Sequence, residues 1–324
     1  MFYTILVKYY VHPFILYGLF GTLVSYLLVL FIVRLPLFKD ARSRAVFFGI
    51  PLVVPATAYM LRRVLMLDTC SVSEHTIGPI DSWFCFAGNV LAIVLTPLFL
   101  CSVIFAIARL IFSVFASRSF IKKYGFASEA DWPKLFATLK MICLKAEIKV
   151  PGVIVTRDVF ARAFTVGYRS PLLVLSEGLL NGLDEDELET VMAHELGHIV
   201  RGDSILNRLL FFLKDIMFFV PLVRIIYRNY SAEKEKASDD FAVRLTGKPM
   251  ALAQALIKVW KMSSHNIIDE LLPYIRLTDN GRVLENRVER LINGEYKVNG
   301  SLKFTAAAAM VITILSIYAL KWVC

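Results

Sequence analysis

No two cysteines in this chain stand at CxxC spacing, which excludes a thiolate zinc ribbon and a dithiol redox centre; the five cysteines lie far apart. Charge is scarce. Only 19% of residues are Asp, Glu, Lys or Arg, while 57% are hydrophobic, at a mean hydropathy of +0.62, more apolar than a soluble globule of ordinary composition. No internal repeat or low-complexity segment is present, so a solenoid is excluded. A basic recognition helix is also missing, and the net charge of +9 therefore does not read as nucleic-acid binding.

What the chain does have is long apolar runs. Phe14 to Val33 is uncharged over about the ~20 residues that carry a helix across the hydrocarbon core. Val46 to Leu61 is shorter and carries Pro51 and Pro55, Phe84 to Ala108 is long enough to cross with tilt, and Phe304 to Leu320 lies between Lys303 and Lys321. The sequence predicts four transmembrane helices. "RLPLFKDARSR" follows the first run with no small-residue cleavage pattern, so that run reads as a retained helix. Arg34, Lys39, Arg42 and Arg44 follow span one, and Arg118, Lys122 and Lys123 follow span three. By contrast, "LDTCSVSEHTIGPIDSW", between spans two and three, contains no lysine or arginine. The positive-inside rule then puts the N-terminus outside and the large segment after span three in the cytoplasm, with its basic margins on anionic headgroups. Cys70 and Cys85 flank the outer loop and are placed to pair in an oxidising compartment, whereas Cys101 and Cys143 read as small buried hydrophobes.

Between spans three and four, "SEADWPKLFATLKMICLKAEI" repeats apolar residues at helical spacing, with Ser128 three residues before Asp131 as a capping signature. "GVIVT" and "PLLVLS", with "RAFTVGYRS" between them, predict a small sheet. "LDEDELETVMAHELGHIVRG" has Asp184 as cap, acids in its first turn, and Arg201 and Gly202 as stop signals. The apolar stretch after it is broken by Arg208, Lys214, Asp215 and Pro221, and reads as membrane-dipping or surface-lying helices, with buried core as the third reading. "MALAQALIKVWKMSS" and "GRVLENRVERLING" are amphipathic helices.

HELGH therefore lies inside a helix. Residues i and i+4 share a face, so His194 and His198 can aim one imidazole nitrogen each at a single ion, with Glu195 beside them. A catalytic zinc takes three protein ligands and one open position, where bound water becomes acidic near neutral pH; Glu195 is the candidate general base for peptide-bond hydrolysis. In "SAEKEKASDDFAVRL", Glu235 is the candidate third ligand, because Asp239, four residues on, shares its face and can hold the outer nitrogen of a liganding histidine. Glu233 is the weaker choice, since Asp239 lies off its face. Otherwise Glu233, Lys234 and Lys236 read as a solvated helix start. His12, His75 and His265 have no partner at metal spacing.

"AHELGHIVRGD", the greasy segment with "FVPLVRIIYRNY", and "EKEKASDDFAV" resemble the membrane zinc metallopeptidases of the BlaR/MecR type. "AFTVG", "LLVLSEGLLNGLDEDELETVMAHELGH" and "ENRVERLI" are similar to the HtpX and CAAX-prenyl-protease type. The resemblance covers about 163–292. It implies zinc held by His194, His198 and Glu235, Glu195 as general base, Asp239 behind a ligand, and Asp203 anchoring the helix end. It also implies Ala163, Phe164, Thr165, Val166 and Gly167 as a strand whose backbone pairs with extended substrate, and Arg287 in an oxyanion-stabilising or packing role. Ser238 departs from the cysteine common in the sensor-transducers. No penicillin-binding domain is expected after the last span, so direct β-lactam sensing is not expected.

The expectation is a mainly α membrane protein with a cytoplasmic α+β zincin-like domain of gluzincin type. It divides into 1–115 (three transmembrane helices), 116–302 (zinc metallopeptidase, with an apolar segment at 205–228) and 303–324 (last transmembrane helix). The function expected is that of an integral endopeptidase of the cytoplasmic membrane, one Zn2+ per chain, acting on protein substrates beside the lipid bilayer, with no nucleic-acid partner. The other class consistent with the fold is a catalytically silent relay or scaffold, against which stand the intact ligand set and base.

Overall fold

The computed structural model describes residues 10–64, 79–167, 170–263, 281–296 and 302–320. Cys70, His75 and His265, and so the expected Cys70–Cys85 pairing, lie outside the described residues. Four helices, or parts of helices, are long and apolar enough to cross a membrane: His12–Ile32, Ala41–Val64, Leu95–Tyr124 and Lys303–Leu320. They belong to α1 (His12–Ile32), α2 (Ala41–Val64), α3 (Pro79–Tyr124) and α11 (Leu302–Leu320). Pro51 and Pro55 sit inside α2, where neighbouring helices cover the freed backbone, and Pro55 packs on Gly21 of α1.

At 46 residues, α3 is roughly 70 Å long, about twice the hydrocarbon thickness. Its far end therefore runs on beyond the bilayer, where Phe120 and Ile121 pack on a three-stranded sheet. Elsewhere α3 leaves Ile104, Phe105, Ile111, Phe112 and also Cys101 exposed, as a lipid-facing helix does. Cys101 is thus not the buried residue its composition suggests; Cys143 is.

After α3 comes α4 (Pro133–Lys145), which starts at Pro133 rather than at the Ser128 signature. Proline disfavours helical geometry in the residue before it, and the Ser128 hydroxyl caps a turn at Ala130 instead. The sheet contains β1 (Gly152–Thr156), β2 (Ala163–Val166) and β3 (Leu172–Ser176) in the order β1-β3-β2. β3 is buried throughout and pairs parallel with β1 and antiparallel with β2, so β2 is an edge strand. Short α5 (Glu177–Gly182) leads into α6 (Glu185–Arg201), which carries HELGH.

The start of α6 is fixed by a reciprocal capping box between Asp184 and Glu187, and its end by Gly202, whose φ of 66° only glycine adopts cheaply. That left-handed residue turns the chain sharply into α7 (Asp203–Ile216), which brings Asp203 back beside His198. Then come α8 (Leu222–Thr246), α9 (Pro249–Met262) and α10 (Gly281–Ile292). α6 and α8 approach closely at Gly197, where a Cβ would lie 3.2 Å from the Phe241 ring.

Two cores result. One gathers Leu139, Ile142, Leu173, Leu175, Met192, Leu196, Val243, Leu252 and Leu291 around the sheet and α6. The other unites α1, α2 and α11 with the α7–α8 hairpin: Leu210, Phe211, Val223, Ile226 and Tyr230 pack with Tyr17, Val29, Phe47, Leu52 and Ile312. At the hairpin tip, the Phe219 ring lies 6.2 Å from that of Phe14 and 6.5 Å from that of Phe99, and Gly18 leaves room for it. The charges that interrupt this apolar segment have partners there. Asp215 is 3.2 Å from Arg109 of α3, and Lys214 lies 3.8 Å from the centre of the Phe211 ring.

Candidate metal centre

α6 and α8 bring three side chains together. The imidazoles of His194 and His198, one turn apart, stand nearly perpendicular at 5.0 Å between ring centres. Glu235 reaches them from α8, its Oε2 3.4 Å from His194 Nε2 and 3.8 Å from His198 Nε2. One ligand atom from each residue lies within 4.8 Å of the other two. Ligand atoms on a tetrahedral zinc with bonds of ~2.0–2.1 Å are separated by ~3.3 Å, so this set needs only a slight contraction to hold the ion. Two imidazoles and one carboxylate also suit zinc by donor type.

The outer nitrogens explain why both Nε2 atoms face inward. His194 Nδ1 is 2.9 Å from Asp239 Oδ1, and His198 Nδ1 is 2.7 Å from Asp203 Oδ2. Each carboxylate is in turn held by a guanidinium. Arg287 binds Asp239 through two bonds of 2.8 Å, and Arg201 Nη2 donates to Asp203 at 2.6 Å. The two halves of the centre thus repeat one arrangement of guanidinium, carboxylate and imidazole; at His198 the contact with Asp203 is a hydrogen bond that fixes ring orientation and tautomer, while at His194 Asp239 Oδ1 stands at ion-pair distance from Nδ1.

Charge inside this buried cluster is balanced locally. Burial would raise the Glu235 carboxyl, but the Lys234 ammonium, 3.3 Å from its Oε1, and the imidazoles hold it well below the ordinary range. Burial would likewise raise Asp239 and Asp203. Arg287 keeps the first far below its usual value, and His198 with Arg201 keeps the second at about 2. Burial would lower His194, but Asp239 and Glu235 outweigh it and raise the imidazole to about 9. In the metal-free protein, that raised value stabilises the fold fully below the unfolded-state pKa of ~6.5, and the contribution is lost as pH rises through about 9. Zinc needs the neutral imidazole, so metal binding at pH 7.5 is expected to expel about one proton, from His194. Calorimetric titration of metal-free protein in buffers of differing ionisation enthalpy measures it; a heat independent of buffer would contradict the assignment.

Glu195, 8% exposed, follows His194 on α6, and among the described residues no hydrogen bond or ion pair occupies its carboxylate. Ala163 to Val166 form the edge strand β2, packed against α6, and Gly167 ends it at φ 106°. Arg287 is 4% exposed.

Several site neighbours were not apparent in the sequence. Arg201 reads there only as a helix stop, although its place three residues after His198 puts it on the same face. Glu233 and Lys234 are buried, not solvated: Glu233 meets Arg44 of α2 and Lys236, and Lys234 meets Glu235. The reason is that α8 runs between the span bundle and α6, so both of its sides are covered.

An HExxH helix and a downstream glutamate, set on a helical scaffold with four membrane-length apolar helices, define a metallopeptidase-type centre in a membrane protein. The comparisons agree. The model of the BlaR1 peptidase M56 family matches residues 71–290, and the chain belongs to that family. Among curated proteins it is similar to "Protease HtpX homolog" of Nostoc sp., 32% identical over an alignment 167 positions long that covers 40% of this chain and 57% of that protein. The "Protease HtpX homolog" of Acidiphilium cryptum is 30% identical over an alignment of 184 positions, covering 46% of this chain and 64% of that protein. "Protease HtpX" of Pseudomonas fluorescens is 28% identical over an alignment of 189 positions, covering 52% and 64% respectively. The chain thus spans less than two thirds of the length of these relatives. The four apolar helices and these relatives together make it a multi-pass membrane protein.

Proposed function

We propose that this protein is a zinc endopeptidase of the gluzincin type that hydrolyses peptide bonds of protein substrates at the cytoplasmic face of the cell membrane. The observation that carries the reading is the convergence of His194 Nε2, His198 Nε2 and Glu235 Oε2, each imidazole backed by its own carboxylate. His194, His198 and Glu235 hold the ion. When bound, zinc supplies Lewis-acid polarisation of the scissile carbonyl and acidifies water toward neutral pH. Glu195 removes a proton from the attacking water as its oxygen bonds to the carbonyl carbon, then delivers that proton to the departing nitrogen as the C–N bond breaks. The backbone of β2, with one edge unpaired among the described residues and α6 beside it, binds substrate as an added strand that lays the scissile bond across the centre.

Two contacts support the membrane location. Arg44, in the basic margin of span two, is 3.9 Å from Glu233, and the basic end of α3 packs on the sheet. The peptidase portion adjoins the bundle end that carries Arg34, Lys39, Arg42, Arg44, Lys122 and Lys123, against Arg62 and Arg63 at the other end of α2, and this excess supports a cytoplasmic location by the positive-inside rule. On this reading the α7–α8 hairpin enters the bilayer, its tip roughly 20 Å along α8 from Glu235.

The test compares membrane proteomes of cells expressing the unsubstituted chain and the Glu195→Gln variant. Full-length proteins are expected to accumulate with the variant; a repressor among them indicates regulatory cleavage, and damaged membrane proteins indicate quality control. Indistinguishable proteomes would count against proteolysis.

A further inference from the structure

We propose that Arg201 is a positioning residue for the metal centre, setting the separation between the helix that supplies both histidines and the helix that supplies Glu235. The inference rests on the zinc reading above and concerns a residue outside the ligand set. Arg201 is the last residue of α6, and its side chain is 11% exposed. Its guanidinium reaches three ways. Toward its own segment, Nη2 donates to Asp203 Oδ2 at 2.6 Å and Nε to Oδ1 at 3.3 Å, and that same Oδ2 lies 2.7 Å from His198 Nδ1. Across to α8, Nη2 turns its second N–H to the Ser238 hydroxyl at 2.6 Å and shares it with the Lys234 carbonyl at 3.3 Å.

Lys234 and Ser238 are four residues apart and share a face of α8, and they bracket Glu235, one residue before it and three after. The Ser238 hydroxyl also stands 3.1 Å from His198 Nδ1. One planar group therefore fastens the exit of α6 to the stretch of α8 that bears the third ligand. The Gly197 contact sets how closely the helices approach, and Arg201 sets where Glu235 falls along that approach. The guanidinium presents its donors in a rigid fork, so two helices are referenced to one plane; lysine at the same place offers a mobile point charge.

The experiment uses the full chain in detergent micelles, unsubstituted and as Arg201→Gln, Arg201→Lys and Lys248→Ala. Zinc affinity is measured by chelator competition, the visible spectrum is recorded after cobalt(II) replaces zinc, and thermal unfolding is followed without metal. Lys248 bridges Asp186 and Glu189 at the opposite end of α6, away from the ligands, and so controls for general loosening of that helix. Arg201→Gln is expected to weaken zinc binding about 10–100-fold and to alter the cobalt ligand-field bands. Arg201→Lys, which keeps charge and length and so is expected to fold, should recover stability but little of the affinity. Lys248→Ala should leave affinity and spectrum unchanged. Unaltered affinity and spectrum in both Arg201 variants would overturn the proposal alone, as would an equal loss in Lys248→Ala. Failure of the unsubstituted chain to bind zinc would overturn the metal reading and this inference with it.

Discussion

The Glu195→Gln chain is expected to fold, to bind one zinc per chain, and to cleave an unfolded test protein about 10^2–10^4-fold more slowly than the unsubstituted chain. Glutamine has the shape of glutamate, and the 8%-exposed side chain leaves no cavity when exchanged for it. None of the imidazole contacts involves Glu195, because His194 and His198 are held by Asp239, Asp203 and Glu235. What disappears is a proton acceptor. Metal analysis on the purified variant separates this loss from loss of the ion, and chelation of the unsubstituted chain supplies the comparison. Rapid cleavage by the variant would assign the base to another residue; loss of zinc would mean that Glu195 helps build the site.

The parts of this centre that could be read from the sequence are those set by helix periodicity. HELGH spans one turn, so two residues four apart must share a face, and the cap at Asp184 and the stop at Gly202 bound the helix from local chemistry alone. The pairing of Glu235 with Asp239 follows the same logic on α8. Arg201 and Lys234 obey that spacing too, but long cations in a charge-rich stretch look identical whether solvated or buried. Only the packing of α8 between the span bundle and α6 distinguishes the two cases, and it joins residues almost two hundred positions apart, as in the approach of Arg44 to Glu233. Local periodicity carries no information about such contacts.

The hairpin of α7 and α8 shows the same limit. Apolar residues with Arg208, Lys214 and Asp215 among them fit a surface helix or a buried one equally well, since the pattern records polarity and not what satisfies it. In the structure the decisive partner is Arg109, a charge within span three that faces Asp215. A charge inside a span and a charge inside a greasy hairpin are each costly alone; together they are complementary and fix the hairpin against α3. The sheet, by contrast, was legible, because short β-branched and leucine runs between prolines and glycines admit few other conformations. Its mixed topology was not, since strand order depends on how α5 and α6 cover β3.

Arg287 is expected to matter through Asp239. The carboxylate of Asp239 is 0% exposed, and Arg287 Nε and Nη2 each donate to it at 2.8 Å. Removing the guanidinium strands a charge where water cannot reach, so Arg287→Leu should destabilise the fold by about 3–5 kcal/mol. It should also weaken zinc binding, because loss of the guanidinium raises the Asp239 carboxyl and leaves it less firmly held beside His194 Nδ1. Adding Asp239→Asn to Arg287→Leu removes the stranded charge, so the double variant should regain most of the stability but not the zinc affinity. A role at the transition state predicts otherwise: Arg287→Leu would keep its melting temperature and its zinc, and lose only kcat. Arg287 Nη1 lies 3.7 Å from Glu235 Oε2, the oxygen that faces the imidazoles, while Nε and Nη2 are committed to Asp239. Thermal unfolding and chelator competition on the single and double variants therefore decide between packing and oxyanion roles.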